Sequence, residues 1–327
     1  MSSSPSPVLV TGAAGFIGAY VCRALVARGD AVVGADNFND YYAPQLKRDR
    51  VAALCPHVEI APLDVADKAA WDALVDRVKP RAIVHLAAQA GVRYSLEQPY
   101  AYLHANLTGF LNVLEGCRRH PVEHLVYASS SSVYGGSATT PFDEAQRVDQ
   151  PLSLYAATKA SNELMAHAYA HLYGIRATGL RFFTVYGPWG RPDMAPVLFS
   201  RAILAGRPID VFNEGRMRRD FTHIDDIVAG VVAALDRVPS GNRPPLALYN
   251  LGNSQPVELG EFIATIERAA GRPAQRVLKP MQPGDMVETA ADTARAQRDL
   301  GFAPHTPIAR GIPPLVAWCR DYYGAAA

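Results

Sequence analysis

Apolar runs and helical patterns alternate along the first part of the chain, from residue 8 to about residue 181. The apolar runs predict strands and are PVLVTG, AVVGAD, VEIAPLDV, AIVHLAA, HLVYASS and IRATGLRF. Stretches with helical periodicity lie between them, such as GFIGAYVCRALVARG and QPYAYLHANLTGFLNVLEGCRRH. Near-continuous apolar strands that alternate with helices predict an α/β fold with a doubly wound parallel sheet.

The pattern changes after Arg181. The segment VYGPWGRPDMAP is rich in proline and glycine, shorter elements follow, and prolines cluster near residues 239–245 and 304–314. We therefore expect two units: a first domain over residues 1–181, and a smaller second lobe built mainly from residues 182–327. The second lobe is expected to pack on the edge of the sheet where the parallel strands end.

Composition narrows the class of protein. The chain has 327 residues, of which 49% are hydrophobic and 19% charged, with a formal net charge of +1. These values are typical of a globular protein and favour neither a nucleic-acid nor a membrane partner. The cysteines are scattered without a C-x-x-C motif, which favours free thiols in a reducing compartment. The chain start resembles no signal peptide and no apolar run approaches ~20 residues, so we expect a soluble cytoplasmic protein.

A glycine-rich turn follows the first predicted strand in VLVTGAAGFIGAY. Gly12, Gly15 and Gly18 stand between that strand and the first predicted helix, in the pattern G-x-x-G-x-x-G. Such a turn lets backbone N–H groups approach a pyrophosphate at a helix N-terminus, where the helix dipole favours anions. The position of the turn therefore predicts a dinucleotide site.

An acidic residue ends the second predicted strand. Asp36 lies 18 residues after Gly18. A carboxylate there can bind the ribose hydroxyls of adenosine and would repel a 2′-phosphate, so it favours NAD over NADP. Asp64 and Val65 end the third predicted strand and are placed to meet the adenine.

A tyrosine and a lysine four residues apart, Tyr155 and Lys159, occur in SLYAATKAS. Residues at this spacing share one face of a helix. Taken alone, such a pair is more often a surface aromatic beside a solvated charge, so the pair gains meaning only from the motifs around it.

Together these motifs resemble the extended short-chain dehydrogenase/reductase family over nearly the whole chain. The segments that carry the resemblance are TGAAGFIG, LDV, HLAAQAG, YASSSSVYG, the Tyr155–Lys159 pair and RDFTHIDDI. Within that family, DNFNDYY, AAQAGVRYS and VYGPWGRPDMA are most similar to UDP-glucuronate 4-epimerases. The resemblance implies a Rossmann-type domain with bound NAD, a UDP-sugar in the C-terminal lobe, and a homodimer formed through helices near residues 98–119 and 154–173.

The resemblance also implies the catalytic residues. Tyr155 would be the general base, with its pKa lowered by the Lys159 ammonium and the positive nicotinamide. Lys159 would also hold the nicotinamide ribose, and Ser130 would supply a third hydrogen bond. The expected cofactor-binding residues are Gly12, Gly15, Phe16, Ile17, Gly18, Asp36, Asn37, Asp64, Val65, Leu86, Ala87, Ala88, Gln89, Asn106, Tyr155, Lys159 and Phe182.

The expected substrate contacts lie mostly in the second lobe. Arg219 matches the diphosphate-binding arginine of the family, and Asp285 matches a position near the uridine ribose, although Gln282 replaces an arginine of galactose-type members in the same loop. Phe182 and Thr184 stand where those members have tyrosine and asparagine, which argues against a neutral hexose. The candidate ligands for the sugar carboxylate are Arg191, Thr184, Ser131 and Ser132, with Ser130 at the sugar hydroxyl and Arg93 as runner-up for the carboxylate.

The implied reaction interconverts UDP-glucuronate and UDP-galacturonate by C4 oxidation, rotation of the 4-keto sugar and hydride return. A UDP-glucuronate decarboxylase and a UDP-glucose 4-epimerase remain alternatives. A sugar 4,6-dehydratase would carry an Asp–Glu pair where Ser131 and Ser132 stand, and a non-catalytic NAD-sensing regulator would typically lack the Tyr155–Lys159 pair. His167 and His171 are four residues apart but have no third ligand nearby, so no metal is expected.

Overall fold

The computed structural model describes residues 6–136, 139–241, 244–282 and 284–324. Residues 242 and 243, inside the proline-rich cluster noted above, therefore lie outside the described part. The strands are β1 (Val8–Thr11), β2 (Val32–Asp36), β3 (Glu59–Pro62), β4 (Ala82–His85), β5 (His124–Ser130), β6 (Ala177–Phe182), β7 (Thr184–Tyr186), β8 (Pro208–Phe212), β9 (Arg218–Arg219), β10 (Phe221–His223), β11 (Leu246–Leu251), β12 (Val257–Glu258) and β13 (Gln275–Lys279).

Helices lie between most of these strands. They are α1 (Phe16–Ala27), α2 (Pro44–Leu54), α3 (Lys68–Val78), α4 (Tyr94–Glu97), α5 (Pro99–Tyr102), α6 (Gly109–Arg119), α7 (Leu154–Tyr173), α8 (Ala195–Leu204), α9 (Ile224–Asp236), α10 (Leu259–Ala270), α11 (Ala294–Leu300) and α12 (Ile308–Tyr323). None of the helices within the described ranges is long and apolar enough to cross a membrane.

Seven strands form one parallel sheet in the order β11-β6-β5-β4-β1-β2-β3. The six strands predicted from the sequence all belong to it, so the prediction of a doubly wound parallel sheet is confirmed. The chain runs outward from β1 in both directions, toward β3 and toward β6. Such a reversal of strand order opens a crevice at the carboxyl ends of the strands, between β1 and β4.

The two faces of the sheet are covered by separate apolar clusters. One cluster joins α1 and α9 to the sheet, with Leu25 and Ile227 fully buried in it. The other joins α3, α6 and α7 to the opposite face, around the buried Trp71 and Phe110. Because both faces are covered, the central strands can be apolar throughout, as the sequence pattern indicated.

The smaller lobe has its own apolar core. Helices α8, α10 and α12 contribute Phe199, Phe262 and Leu315 to one cluster, and the parallel pair β8–β13 lies beside them. The chain also returns to the sheet after residue 181, because β11 pairs with β6 and α9 packs against α1. Residues after 181 therefore contribute both to the sheet domain and to the smaller lobe.

The helix expected over residues 98–119 is interrupted. A π-helical segment, Leu103–Thr108, separates α5 from α6. The wider turn leaves the carbonyl of Asn106 to accept a hydrogen bond from Asn162 Nδ2 at 2.7 Å. Single π turns of this kind are frequent at functional sites, and this one lies beside the crevice.

Candidate active site

A cavity of about 1280 Å³ opens at the carboxyl ends of the sheet strands and extends into the smaller lobe. With the exception of Asn106, every residue that the sequence assigned to the cofactor, the substrate or the chemistry lines it. The structure therefore brings together segments of the chain that the sequence could only relate by analogy.

The glycine turn forms one wall of this cavity. Gly12 adopts a positive φ of 67°, which favours glycine, and a Cβ on Gly18 would lie 2.0 Å from the Gly12 carbonyl oxygen. The turn and the start of α1 are thus too close for any side chain at these two positions. The first turn of α1 has neither a capping side chain nor an acidic residue, so its N–H groups are available to an anion.

Asp36 braces the glycine turn from β2. Its Oδ2 accepts a hydrogen bond from the Ala14 N–H at 3.0 Å, and its Oδ1 accepts one from the Phe38 N–H at 2.8 Å. A carboxylate offers about four acceptor positions, so two remain for ribose hydroxyls. Nearby, Asn37 Nδ2 donates to Asp64 Oδ2 at 3.1 Å, which joins the ends of β2 and β3.

Asn106 does not line the cavity, contrary to its expected role as a cofactor ligand. The side chain is only 1% exposed. Its Oδ1 accepts from the Gln89 N–H at 2.8 Å, and its Nδ2 donates to the Gln89 carbonyl at 3.0 Å. The Asn106 Nδ2 also donates to Thr158 Oγ1 at 3.0 Å, so this side chain supports the loop after β4 from the side opposite the cavity.

Tyr155, Lys159 and Ser130 meet in the middle of the cavity. Helix α7 begins after Ser153, whose side chain accepts from the Ala156 N–H, so Tyr155 and Lys159 lie in its first two turns on one face. Lys159 is 3% exposed and donates from Nζ to the Ala128 carbonyl at 2.9 Å. Burial lowers the pKa of Lys159 to about 8, which Glu163 opposes.

The pKa of Tyr155 differs from the sequence-based expectation. Burial raises it above the usual value of 10, while Ser130 and the charge of Arg191 oppose that rise. The expected lowering of this pKa included the positive nicotinamide as well as the Lys159 ammonium. In the protein chain by itself, the cost of a buried phenolate outweighs the nearby positive groups.

The serine run that follows β5 is ordered by its own hydrogen bonds. Ser130 Oγ donates to Ser132 Oγ at 3.1 Å and accepts from the Ser132 N–H at 3.2 Å. Ser129 also borders the cavity, but its Oγ donates to Glu163 Oε1 at 2.6 Å. This arrangement leaves Ser130, Ser131 and Ser132 on the cavity wall, as expected, and gives Ser129 a structural role.

Arg191 has a partner that the sequence reasoning missed. Its Nε donates to Asp193 Oδ1 at 3.1 Å, and one of its Nη atoms donates to Asp193 Oδ2. Tyr41 also donates to Asp193 Oδ2, at 2.9 Å. One edge of the Arg191 guanidinium is therefore engaged by the chain's own carboxylate. The quoted segments DNFNDYY and GRPDMA contain both missed residues, but nothing in the sequence brings them together.

Two more arginines face the part of the cavity in the smaller lobe. Arg219 donates to the carbonyls of Arg218 and Val287, both at 3.1 Å, and burial lowers its pKa. Arg93 lies 3.8 Å from Asp285 Oδ2 and stacks on Phe212. Arg219 thus has no carboxylate within 4 Å among the residues that the structure describes, which leaves its charge available to an anionic ligand.

The described residues contain neither a disulfide nor a cluster of metal ligands. All four cysteines (Cys22, Cys55, Cys117 and Cys319) lie in the described ranges and are buried free thiols. No group of three His, Cys, Asp or Glu side chains in those ranges is arranged to hold a metal ion. The chemistry of the described residues is therefore concentrated in the one large cavity.

The sequence that builds this cavity matches a known protein family. Residues 8–252 match the model of the NAD dependent epimerase/dehydratase family. The chain belongs to that family. The match ends just after β11, so it covers the whole seven-stranded sheet of this epimerase/dehydratase family member.

Individual relatives cover almost its full length. UDP-glucuronate 4-epimerase 3 of Arabidopsis thaliana is 48% identical over 97% of this chain and 77% of the relative. A probable UDP-glucuronate 4-epimerase of Rhizobium meliloti is 46% identical over 97% and 98% of the two chains. The crystal structure of UDP-glucuronic acid 4-epimerase from Bacillus cereus, in complex with UDP-glucuronic acid and NAD, matches with a TM-score of 0.90 and 31% identity, over 97% and 100% of the chains.

Proposed function

We propose that this protein is an NAD-dependent UDP-sugar 4-epimerase that interconverts UDP-glucuronate and UDP-galacturonate. One observation carries the proposal: Tyr155, Lys159 and Ser130 share a cavity with the glycine turn on one side and with Arg191 and Arg219 on the other. The relatives named UDP-glucuronate 4-epimerase, at 46–48% identity, support the same activity.

The residues of the cavity fit NAD. The glycines leave no room for side chains at the start of α1, where free N–H groups suit a pyrophosphate, and Asp36 keeps two acceptor positions for ribose hydroxyls. When bound, NAD supplies the acceptor for the C4 hydride, which it later returns, and a positive charge that favours the Tyr155 phenolate. Because Asp36 would repel a 2′-phosphate, the cofactor released on denaturation should be NAD and not NADP.

The proton chemistry belongs to the chain. Tyr155 takes the proton from the O4 hydroxyl during oxidation and gives it back during reduction, as a general base and then a general acid. Lys159 keeps a positive charge close to the phenolate, and Ser130 donates a hydrogen bond at the same site. The 4-keto sugar must turn between the two half-reactions, so the enzyme has to hold the UDP part more firmly than the sugar.

Two arginines are proposed to bind different parts of the substrate. Arg219, whose charge no described carboxylate neutralises within 4 Å, suits the diphosphate. Arg191, with Thr184 and the Ser131 and Ser132 hydroxyls, is proposed to hold the sugar carboxylate. A 4-keto intermediate is a β-keto acid that loses CO₂ when the carboxylate aligns with the carbonyl, so a held carboxylate also protects the sugar from decarboxylation.

Product analysis tests the activity. Purified protein is incubated with UDP-glucuronate, and the products are identified by mass spectrometry and NMR. We expect UDP-galacturonate with retention of the carboxylate. A decarboxylated UDP-pentose as the main product would make the protein a decarboxylase, and an absence of any turnover would overturn the proposed activity.

The Arg191→Ala variant tests the carboxylate contact. Charge-assisted hydrogen bonds are worth roughly 1.5–3 kcal/mol, so UDP-glucuronate should bind about tenfold more weakly or worse, and the share of decarboxylated product should rise. UDP-glucose is the uncharged control substrate, and Arg147→Ala, on a side chain that is 88% exposed, is the control variant. An equal loss with both substrates would show that Arg191 is not the carboxylate ligand, and Arg93 would be the next residue to test.

Assembly and location are also proposals. Leu111, Leu164 and Leu172 are exposed apolar residues on α6 and α7, at 40%, 72% and 66% exposure, and support a homodimer through these helices. The four buried free thiols support a reducing, cytoplasmic location. Sedimentation of the wild-type protein beside a Leu164→Glu variant should show a dimer that the substitution weakens.

A further inference from the structure

Arg50 of α2 is a fully buried arginine that the proposed chemistry does not use. Its exposed fraction is 0%. Its Nη1 donates to the Ala14 carbonyl at 2.7 Å and to the Tyr42 hydroxyl at 3.2 Å, and its Nε donates to the Trp189 carbonyl at 2.9 Å. One guanidinium therefore contacts the glycine turn, the loop after β2 and the loop after β7.

The partners of Arg50 are all neutral. Among the described residues no carboxylate oxygen lies within 4 Å of it, and its buried Nη2 has no hydrogen-bond partner. A buried charge is costly unless it is paired or serves a function, because desolvation of an ion in a low-dielectric interior is not repaid by neutral acceptors alone. An apolar side chain could fill the same space at lower cost, so the charge calls for an explanation.

Arg50 and Asp36 hold the same residue of the glycine turn from two sides. The Ala14 N–H donates to Asp36, and the Ala14 carbonyl accepts from Arg50. Ala14 lies between Gly12 and Gly15, where the backbone must keep one conformation for the turn to approach a dinucleotide. The guanidinium thus fixes the turn and places an unneutralised positive charge behind it.

The third contact reaches the loop that carries Arg191. Trp189, two residues earlier, has a positive φ of 61°, a strained conformation for a bulky residue. Such a conformation persists only when its surroundings hold it in place. The Trp189 ring packs against Trp318 and Tyr322 of α12, with centroids at 5.4 and 5.2 Å, and the hydrogen bond from Arg50 fixes its carbonyl.

We propose that Arg50 is a positioning residue that ties the dinucleotide turn to the Arg191 loop, so that cofactor affinity and recognition of the sugar carboxylate depend on one buried cation. The carboxylate part rests on the proposed function, whereas the cofactor part does not. Arg50 acts through the Ala14 and Trp189 carbonyls.

Calorimetry with NAD-depleted protein and three variants tests the proposal. Arg50→Met removes the charge and both carbonyl contacts, Arg50→Lys keeps the charge but replaces the fork with a single ammonium, and Arg48→Met is the control on the exposed side of α2. Two dissociation constants are compared: that of NAD, and that of UDP-glucuronate relative to UDP-glucose with NAD present. Binding is measured, so the result does not depend on turnover.

We expect Arg50→Met to weaken NAD at least tenfold and to reduce the preference for UDP-glucuronate at least fivefold, with Arg48→Met within twofold of wild type for both. Arg50→Lys should keep NAD within about threefold, since the charge remains, but should lose the preference, since one ammonium does not bridge both carbonyls. If Arg50→Met does not fold, Arg50→Lys alone decides.

Three results would overturn the proposal. Wild-type NAD binding by Arg50→Met would show that the charge does not serve the turn. An unchanged preference between the two sugars, in either variant, would show that the two loops are not linked. A uniform weakening of both sugars with a lower melting temperature would mean that Arg50 serves stability alone. Absence of UDP-glucuronate turnover by the wild type would count against the proposed function and leave the binding comparison intact.

Discussion

The two sides of the cavity are built in different ways. On the cofactor side, one stretch of chain from Val8 to Asp36 supplies the strand, the glycine turn, the helix and the acid. On the substrate side, Arg93, Arg191 and Arg219 come from three separate segments of the chain, two loops and the short strand β9. Other residues of the chain hold each of them in place. The first side depends on backbone geometry that glycine permits, and the second on side-chain charges that tertiary contacts hold in place.

The arginines on the substrate side also differ from each other. Arg191 is engaged by Asp193, whereas Arg219 bonds only to backbone carbonyls. Arg219 therefore keeps its charge for a ligand, while Arg191 exposes a partly neutralised guanidinium. This difference suits a site that has to hold a diphosphate firmly while the sugar turns, and it makes the two arginines separable by mutation.

Tyr155→Phe should have the largest effect, because Tyr155 lies where the two sides meet. The substitution removes the general base and leaves the cavity otherwise intact, so turnover should fall on the order of 10²–10⁴-fold while NAD and UDP-sugar affinities stay near wild type. Steady-state kinetics and the cofactor content of denatured protein measure the two effects. Near-wild-type epimerisation would remove Tyr155 from the mechanism.

Gly18→Ala should disrupt the cofactor side alone. The new Cβ would lie 2.0 Å from the Gly12 carbonyl oxygen, so the turn has to move. Overpacking typically costs about 1–3 kcal/mol, and if the turn has to relax by that much to bind NAD, the affinity falls roughly 5- to 150-fold.

A glycine without such a contact provides the control for Gly18→Ala. A Cβ added at Gly260, in α10, would meet no atom within 4 Å, so Gly260→Ala should bind NAD as the wild type does. Equal NAD affinity of the two variants would show that close packing of the turn does not govern cofactor binding.

Lys159→Met should reveal the cost of the buried charge between the two sides. The pKa of Lys159 is about 8 in the folded protein against an ordinary 10.5, so between these values the unfolded chain holds a proton that the folded chain has lost. The free energy of unfolding of the wild type, as far as it depends on Lys159, therefore rises with pH between about 8 and 10.5. The variant should be more stable than wild type by roughly 1–3 kcal/mol at pH 7.

The greater stability of Lys159→Met relative to the wild type should shrink as the pH approaches 10. Urea unfolding of both NAD-depleted proteins at pH 7, 8.5 and 10 measures it, and the difference between the two proteins cancels the titration of other groups. A difference that stays constant with pH would contradict the lowered pKa of Lys159.

Arg219→Met should have the smallest effect and should act on the substrate side alone. Loss of one charge-assisted contact to a diphosphate should weaken UDP-glucuronate and UDP-glucose alike by about tenfold. NAD binding should be unchanged. The pattern is the opposite of that expected for Arg191→Ala, so a sugar-selective loss in Arg219→Met would reverse the roles given to the two arginines.

Local patterns in the sequence determined the sheet domain and the centre of the site. The six strands, the glycine turn and the position of Asp36 follow from apolar runs and from glycine spacing, which act over a few residues, and helix geometry places Tyr155 and Lys159 on one face. The catalytic role of that pair came from the family resemblance. Resemblance to a family added the roles of Arg191 and Arg219 but not their surroundings.

Only the tertiary structure decided which side chains meet across the fold. It added β11 to the sheet, placed a π turn at Asn106 ahead of α6, paired Arg191 with Asp193 and Tyr41, and buried Arg50 beneath the glycine turn. It also raised the pKa of Tyr155 in the protein chain by itself, because burial depends on the packing of distant segments around the phenol. Hydrophobic periodicity carries no information about such contacts, since desolvation and hydrogen bonding are set by neighbours in space and not by neighbours in the chain.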